Sequence, residues 1–458
     1  MPIATINPAT GETVKTFTPD TGEQVQAAIA RAYACFQDYR RNTTFAQRAG
    51  WANATADLIE AEADDTAAMM TLEMGKTLAS AKAEALKCAK GFRYYAENAE
   101  QLLADEPAEA AKVGAKRAYL RYQPMGVVLA VMPWNFPLWQ AVRFAAPALM
   151  AGNVGLLKHA SNVPQSALYL SDVITRGGFP PGCFQTLLVS AGAVEAILRD
   201  PRVAAATLTG SEPAGQSVAA ICGDEIKPTV LELGGSDPFI VMPSANLDDA
   251  VRAAVKGRVQ NNGQSCIAAK RFIVHTDVYE EFVDKFVEQM RALKVGDPTD
   301  PDTDVGPLAT ESGRDEIAQQ VDDAVAAGAR IRCGGKRPDG PGWFYPPTVI
   351  TDITRNMALY TEEVFGPVAS MYRAAGIDEA IEIANGTTFG LGSNAWTGDD
   401  AEQRRFIDDI EAGQVFINGM TVSYPELGFG GIKRSGYGRE LAGLGIRAFC
   451  NAKTIWVG

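Results

Sequence analysis

Gly126-Val127-Val128-Leu129-Ala130-Val131-Met132 is a short apolar run, and Pro133-Trp134-Asn135 follows it directly. Four further apolar runs come after it, at 154–157, 187–189, 204–208 and 229–233, with helix-length segments near 138–150 and 164–176. Uninterrupted apolar strands that alternate with helices are typical of a parallel sheet buried on both faces. The sequence therefore predicts an α/β fold, in which ligands bind beyond the carboxyl ends of the strands.

Polar and glycine residues gather where these predicted strands end. Lys158 follows the second run, and Thr209-Gly210-Ser211 follows the fourth. Glu232 lies inside the last run, just before Gly234-Gly235. Because the carboxyl ends of parallel strands meet at one edge of a sheet, we expect these residues to line a single ligand crevice.

Outside this series, the pattern predicts helices before it and a second α/β series after it. Three helices are expected in the first hundred residues: one that Thr21 caps, one near 45–68 and one near 77–103. A surface crossing at 104–114 and a strand at 115–122 follow. The second series comprises strands at 238–242, 271–275, 369–372 and 414–418 and a helix at 279–293. The apolar tail Thr454-Ile455-Trp456-Val457 suits an added strand at a subunit interface.

Composition excludes several classes of function. The chain has 458 residues, with 42 Lys and Arg against 55 Asp and Glu, so its net charge is −13. That charge argues against nucleic acid or an anionic membrane as a partner. No apolar run approaches the roughly 20 residues that span a bilayer. The first residues lack the pattern of a signal peptide, so a cytoplasmic protein is expected.

Histidine and cysteine are too few or too scattered for a metal site. There are two histidines, and the seven cysteines include no C-x-x-C pair, so neither a zinc site nor a disulfide framework is expected. The usual phosphate loops are also missing: no G-x-G-x-x-G follows a strand, and Gly75-Lys76-Thr77 lacks the earlier glycine of a Walker loop.

Three residues are candidates for chemistry on their own properties. Cys266 follows a flexible Gly263 and lies at the expected start of a short helix, which would favour a thiolate, although a lone cysteine is more often a small buried hydrophobe. Glu232 interrupts an apolar strand, so it is either paired in a salt bridge or catalytic. Asn135 is an amide donor at a strand end, where a turn role is equally possible.

Five ordered motifs closely resemble those of the aldehyde dehydrogenase superfamily, in its order and spacing and over nearly the whole chain. They are Pro133-Trp134-Asn135-Phe136-Pro137, Leu231-Glu232-Leu233-Gly234-Gly235, Gly263-Gln264-Ser265-Cys266, Glu362-Glu363-Val364-Phe365-Gly366-Pro367 and Phe429-Gly430-Gly431-Ile432-Lys433-Arg434-Ser435-Gly436. The resemblance implies a Rossmann-type dinucleotide-binding domain (1–105 and 125–234) and a catalytic α/β domain (235–434). It also implies a small β oligomerisation arm (106–124 and 435–458), so a homodimer or homotetramer is expected.

The resemblance also implies a mechanism. Cys266 attacks the aldehyde as a thiolate, forming a thiohemiacetal whose oxyanion the Asn135 amide and a backbone N–H hold. Hydride transfer to a nicotinamide dinucleotide leaves a thioester, and Glu232 activates the water that hydrolyses it.

The cofactor contacts are carried over position by position. Glu363 matches the residue on the nicotinamide ribose, with Phe365 beside the ring, and Lys158 matches the lysine on the adenosine ribose. Ser211 matches a pyrophosphate contact, and three further residues line the same crevice: Trp134, Gly210 and Gly234. Ser161 stands where NAD-preferring relatives often carry a carboxylate. A hydroxyl there removes repulsion against a 2′-phosphate, so NADP is the expected cofactor, with NAD possible.

Arg143 points to the substrate class. It interrupts an apolar helix, either as a snorkelling surface arginine or, as the resemblance implies, facing the substrate tunnel as in semialdehyde dehydrogenases. The stretch 420–426 resembles bacterial succinate-semialdehyde dehydrogenases, and Ser423 would help to hold a carboxylate. Gln260 stands where some such enzymes have a second arginine.

The predicted function is oxidation of succinic semialdehyde to succinate. The alternatives are another short aldehyde (glutaric semialdehyde or an aliphatic one), a cofactor-independent thiol esterase that uses Cys266 and Glu232, and a non-catalytic scaffold.

Overall fold

The structure, a computed structural model, describes residues 2–458. Its strands are β1 Ala4–Ile6, β2 Thr13–Thr16, β3 Glu106–Pro107, β4 Arg117–Pro124, β5 Val127–Met132, β6 Val154–His159, β7 Phe184–Thr186, β8 Val203–Thr209, β9 Thr229–Glu232, β10 Asp237–Val241, β11 Ala269–His275, β12 Arg330–Cys333, β13 Thr348–Thr351, β14 Val368–Ala374, β15 Asn394–Trp396, β16 Phe416–Ile417, β17 Gly436–Tyr437 and β18 Cys450–Val457. Its α-helices are α1 Gly22–Asn42, α2 Phe45–Ala61, α3 Ala63–Met74, α4 Leu78–Leu102, α5 Trp139–Ala151, α6 Pro164–Arg176, α7 Val194–Leu198, α8 Glu212–Asp224, α9 Leu247–Val259, α10 Tyr279–Ala292, α11 Glu311–Ala326, α12 Ala358–Thr361, α13 Ile377–Asn385, α14 Asp400–Asp409 and α15 Ala442–Arg447.

The first sheet has six strands in the order β17-β9-β8-β5-β6-β7. All neighbours are parallel except β17, which pairs antiparallel with β9. The predicted α/β class is thus confirmed. The strand predicted at 187–189 is wrong: the strand is β7, three residues earlier, and Leu187 and Val189 are buried beyond its end. An edge strand with polar Gln185 and Thr186 does not show the apolar pattern of a central strand.

The second sheet has seven strands in the order β12-β13-β14-β11-β10-β15-β16, of which only the β12–β13 pair is antiparallel. It accounts for the predicted second α/β series. Phe239, Phe272 and Phe286 lie in its core, with ring centroids of neighbouring pairs 5.5 and 5.0 Å apart. This sheet supports the segment that carries Cys266, which enters β11.

The first hundred residues form α1 to α4 around the first sheet. Thr21 caps α1, as predicted, and the structure shows that Thr77 caps α4. The single helix predicted at 45–68 is wrong, because α2 ends at Ala61 and α3 begins at Ala63. Glu62 leaves the helical conformation there (ψ 15°), and its carboxylate pairs with Arg176 at 2.6 Å. No helix within residues 2–458 has the length and apolar character needed to cross a membrane.

The third sheet is small, with the order β18-β4-β3. The C-terminal strand β18 pairs antiparallel along β4, from Cys450 opposite Pro124 to Val457 opposite Arg117. Its side chains are mostly exposed, and Trp456 is 56% accessible. Residues 436–437 of the segment predicted to belong to the arm lie instead in the first sheet, as β17.

Candidate active site

A cavity of about 220 Å³ opens at the carboxyl ends of β5, β8 and β9. Parallel strands end here together, so residues that are far apart in the chain converge on one crevice. Eight of the residues singled out from the sequence line it: Trp134, Asn135, Gly210, Ser211, Gly234, Cys266, Glu363 and Phe365. Gln140, on the first turn of α5, lines it too and was missed, although it lies five residues after Asn135.

Cys266 follows an unusual turn rather than starting a helix. Asn261, Asn262 and Gly263 adopt left-handed conformations, with φ of 55°, 57° and 77°. Lys270 Nζ then binds the carbonyl oxygens of Ser265 and Cys266, at 3.1 and 2.7 Å. The expected short helix at Cys266 is therefore wrong: the chain makes a single turn, in which the Ala268 N–H donates to the Ser265 carbonyl oxygen at 3.1 Å, and β11 begins at Ala269. Gly263 is required here: a Cβ would lie 2.3 Å from the Gly366 carbonyl carbon.

Burial raises the pKa of the Cys266 thiol to about 11. The positive charges of Arg143 and then Lys270 act in the opposite direction and favour the thiolate. Ionisation of the Cys266 thiol is therefore favoured by two nearby cations and not by a helix N-terminus.

Asn135 is held against the segment that precedes Cys266. Its Nδ2 donates to the Gln264 carbonyl oxygen at 3.1 Å, and Asn261 Nδ2 donates to the Asn135 carbonyl oxygen at 2.7 Å. An amide nitrogen has two N–H groups, so one remains for a second acceptor. The geometry brings an oriented donor to the turn that carries Cys266, which a simple turn role for Asn135 would not require.

Glu232 ends β9 and is buried, with no hydrogen-bond partner for either carboxylate oxygen among the described residues. Burial raises its pKa well above the usual value, the charge of Glu440 raises it further, and Arg143 and Arg439 oppose this. Gly430, with φ of 150°, leaves the room for this carboxylate, since a Cβ there would lie 2.5 Å from Glu232 Oε1. No Lys, Arg or His nitrogen in residues 2–458 lies within 4 Å of the Glu232 carboxylate, so the structure does not support a direct salt bridge.

Arg143 is buried in α5, so it is not a snorkelling surface residue. Its Nε lies 2.7 Å from Glu440 Oε2, and its guanidinium lies 4.2 Å from the centroid of the Phe429 ring. Ser423 contacts Trp139, and its Oγ accepts from Trp139 Nε1 at 2.8 Å. Neither Arg143 nor Ser423 is among the residues that line the cavity around Cys266.

Several residues fit a nicotinamide dinucleotide. Glu363 lies 3.1 Å from Lys270 Nζ at the cavity, and Phe365 packs edge-on against Trp134 with centroids 5.7 Å apart. Lys158 is buried near the end of β6 and has no carboxylate within 4 Å in residues 2–458, and burial lowers its pKa. Ser161 lies in the turn that follows β6. A buried cation followed three residues later by a turn hydroxyl, at the edge of the sheet where such cofactors bind, suits a phosphate-bearing ribose.

No group of three or more His, Cys, Asp or Glu side chains within residues 2–458 is arranged to hold a metal ion.

The fold and site define a two-sheet α/β enzyme in which a cysteine faces a crevice at the carboxyl ends of parallel strands. The Aldehyde dehydrogenase family model matches residues 1–455, and the chain belongs to this family. It is 88% identical over 458 residues, covering 100% of this chain and 97% of the relative, to the succinate-semialdehyde dehydrogenase [NADP(+)] of Mycobacterium avium.

Two further proteins are similar over essentially their whole lengths. Succinate-semialdehyde dehydrogenase [NADP(+)] 1 of Mycobacterium tuberculosis is 83% identical over 457 residues, which cover 100% of each chain. The crystal structure of succinic semialdehyde dehydrogenase from Streptococcus pyogenes, in complex with NADP+, has a TM-score of 0.97 at 36% identity and 99% coverage of both chains.

Proposed function

We propose that this protein oxidises succinic semialdehyde to succinate with NADP as the acceptor. The observation that carries the proposal is that Cys266, Asn135, Glu363 and Phe365 line one cavity at the carboxyl ends of the first sheet. The names of the 83–88% identical relatives support the same substrate and cofactor.

In the proposed reaction, the Cys266 thiolate adds to the aldehyde carbon, and the Asn135 Nδ2 donates a hydrogen bond to the resulting oxyanion. NADP, when bound, supplies the two-electron hydride acceptor that this oxidation to a thioester needs. Glu232 then accepts a proton from the water that attacks the thioester carbon. The carbon–sulfur bond breaks, which releases the carboxylate product and returns Cys266 to the thiolate.

Lys158 and Ser161 are proposed to select the cofactor. Lys158 has no carboxylate partner within 4 Å in the described chain, so its charge is available to a 2′-phosphate. The Ser161 hydroxyl adds a donor without negative charge. The other proposed cofactor contacts are Trp134, Gly210, Ser211, Gly234, Glu363 and Phe365.

Arg143 and Ser423 are proposed to act at the carboxylate end of the substrate. Ser423 Oγ accepts a hydrogen bond from Trp139 Nε1, and Trp139 precedes Arg143 by one turn of α5. A guanidinium and a hydroxyl are a suitable pair for a carboxylate.

We further infer a cytoplasmic homodimer or homotetramer. The exposed face of the β18-β4-β3 sheet, with Trp456 on it, supports an interface between copies. All seven cysteines are free, which fits a reducing compartment.

The test is the initial rate of nicotinamide reduction with succinic semialdehyde, glutaric semialdehyde or butanal, each with NADP and with NAD. We expect the highest kcat/KM for succinic semialdehyde with NADP, and no rate for Cys266→Ser. Oxidation of butanal alone would overturn the substrate proposal. Ester hydrolysis without any aldehyde oxidation would favour the thiol esterase instead.

A further inference from the structure

Lys87, on α4, contacts both Ser423 and Trp139. Its Nζ donates to Ser423 Oγ at 2.8 Å and lies 4.6 Å from the centroid of the Trp139 ring. Trp139 Nε1 donates to the same Oγ at 2.8 Å. Because this oxygen accepts two hydrogen bonds, the hydroxyl proton of Ser423 remains free to donate to another group.

Lys87 has no counter-ion of its own. Its neighbours in sequence are all paired: Lys76 with Glu84, Lys82 with Asp64 at 2.6 Å and Lys90 with Glu426 at 2.9 Å. No carboxylate in residues 2–458 lies within 4 Å of Lys87 Nζ, although the side chain is half-buried and its ammonium is partly desolvated. A partly desolvated ammonium without an anion is unfavourable, so this position favours an anionic ligand.

The other cations near Cys266 are already neutralised. Arg143 Nε lies 2.7 Å from Glu440, and Lys270 Nζ lies 3.1 Å from Glu363. Of these three cations that interact electrostatically with Cys266, Lys87 is therefore the one without a carboxylate within 4 Å in residues 2–458. The groups that act on it electrostatically are Glu84 and Cys88 on its own helix, Arg143 on α5, and Cys266 itself.

We propose that the Lys87 ammonium and the Ser423 hydroxyl together bind the carboxylate of the substrate. One carboxylate oxygen accepts from Lys87 and the other from Ser423, while the indole of Trp139 orients the lysine. Lys87 would supply the second positive charge that some similar enzymes provide with an arginine at the position of Gln260. This inference rests on the proposed function, whose substrate carries that carboxylate.

Two substrates of equal chain length separate charge recognition from catalysis: succinic semialdehyde and butanal. For Lys87→Met we expect KM for succinic semialdehyde to rise about tenfold or more, with kcat/KM for butanal within about threefold of wild type. Lys90→Met is the matched control, because Lys90 lies one turn further along α4 and forms its ion pair at the surface. This variant should leave KM and kcat/KM unchanged for both substrates. An equal loss with both substrates, or no loss with either, would overturn the role of Lys87.

The pH dependence of the wild-type enzyme tests the same idea without a variant. Burial, and then the charge of Arg143, lower the pKa of Lys87 to about 8. Deprotonation removes the charge that holds the carboxylate, so KM for succinic semialdehyde should rise above about pH 8, while KM for butanal stays level. Parallel KM curves for the two substrates would contradict the proposal.

Comparing succinic semialdehyde with butanal in the wild-type enzyme also separates a failure of the proposed function from a failure of the Lys87 inference. Preference for butanal over succinic semialdehyde would overturn the proposed function and this inference with it. A wild-type preference for succinic semialdehyde that Lys87→Met retains would overturn the inference alone.

Discussion

Arg143 and Glu440 form a buried ion pair beside the proposed general base, with Arg143 Nε 2.7 Å from Glu440 Oε2 and side-chain exposures of 2% and 5%. Glu232 lies close enough for Glu440 to raise its pKa and for Arg143 to lower it. Two buried carboxylates thus interact electrostatically with one guanidinium, which pairs directly with Glu440. The protonation of Glu232 therefore depends on this pair, and removing either partner should change it in a predictable direction.

Glu440→Gln should lower the pKa of Glu232, since it removes a like charge and leaves Arg143 free to act on Glu232. A general base works above its pKa, so the acid limb of the kcat–pH profile should move to lower pH, by about one unit. The measurement is kcat from pH 5 to 9 under saturating substrate, with exposed Glu195→Gln as control. An unmoved or alkaline-shifted limb would contradict the coupling.

Arg143→Ala should have the opposite effect on the acid limb, because Glu232 and Glu440 lose the cation that lowers their pKa. It should also raise KM for succinic semialdehyde about tenfold, if Arg143 contacts the carboxylate. Steady-state kinetics over pH measure both effects. An unchanged KM would show that Arg143 does not bind the substrate carboxylate. An unchanged acid limb would show that Arg143 does not control the pKa of Glu232.

Ser161→Glu should reduce kcat/KM with NADP about 100-fold, while activity with NAD is maintained. The new carboxylate would repel the 2′-phosphate and offer buried Lys158 a counter-ion. The ratio of kcat/KM for the two cofactors is the measurement, and Ser161→Ala, which adds no charge, should keep the preference for NADP. A Ser161→Glu enzyme that still prefers NADP would show that this position does not discriminate.

Alkylation of Cys266 should be slow at neutral pH in the cofactor-free protein, because burial raises the pKa of its thiol to about 11. The thiolate is the nucleophile, so the rate with iodoacetamide should rise about tenfold per pH unit from about pH 7 to 10. Mass spectrometry of the peptide that contains Cys266 follows the reaction site by site, with buried Cys88 as the internal control. A plateau below pH 8 would mean that the thiol is already ionised.

Glu84→Gln should destabilise the protein more than an exposed substitution on the same helix. Glu84 pairs with buried Lys76, and its Oε1 accepts from the backbone N–H groups of Leu138 and Trp139 at 2.9 Å each, where α5 begins. Breaking the pair leaves a buried charge, which costs about 3 kcal/mol or more. Thermal unfolding should show a lower Tm than for Glu97→Gln; equal Tm values would contradict this.

Local sequence pattern predicted most elements closely. The run at 127–132 is β5, the segment at 164–176 is α6, and Thr21 caps a helix as expected. The exceptions have local causes that a pattern does not show: the polar edge strand β7, the break at Glu62, and the left-handed turn before Cys266. In each case backbone geometry or a side-chain partner overrides apolar periodicity.

Periodicity and motif order were sufficient to predict the α/β class, the crevice at the strand ends, and the family whose motifs contain Cys266, Glu232 and Asn135. Such features are local, because burial repeats along a strand or helix and motifs are contiguous. The pairing of charges is not local. Ser423 meets Lys87 across 336 residues of chain, and Arg143 meets Glu440 from another part of the fold. The helical period of α4 buries Ala81, Glu84 and Cys88, but it does not identify Lys87 as part of a site. Only the packing of α4, α5 and the 419–427 segment decided which cation is neutralised and which is free, because an ion pair depends on distances that sequence separation does not encode.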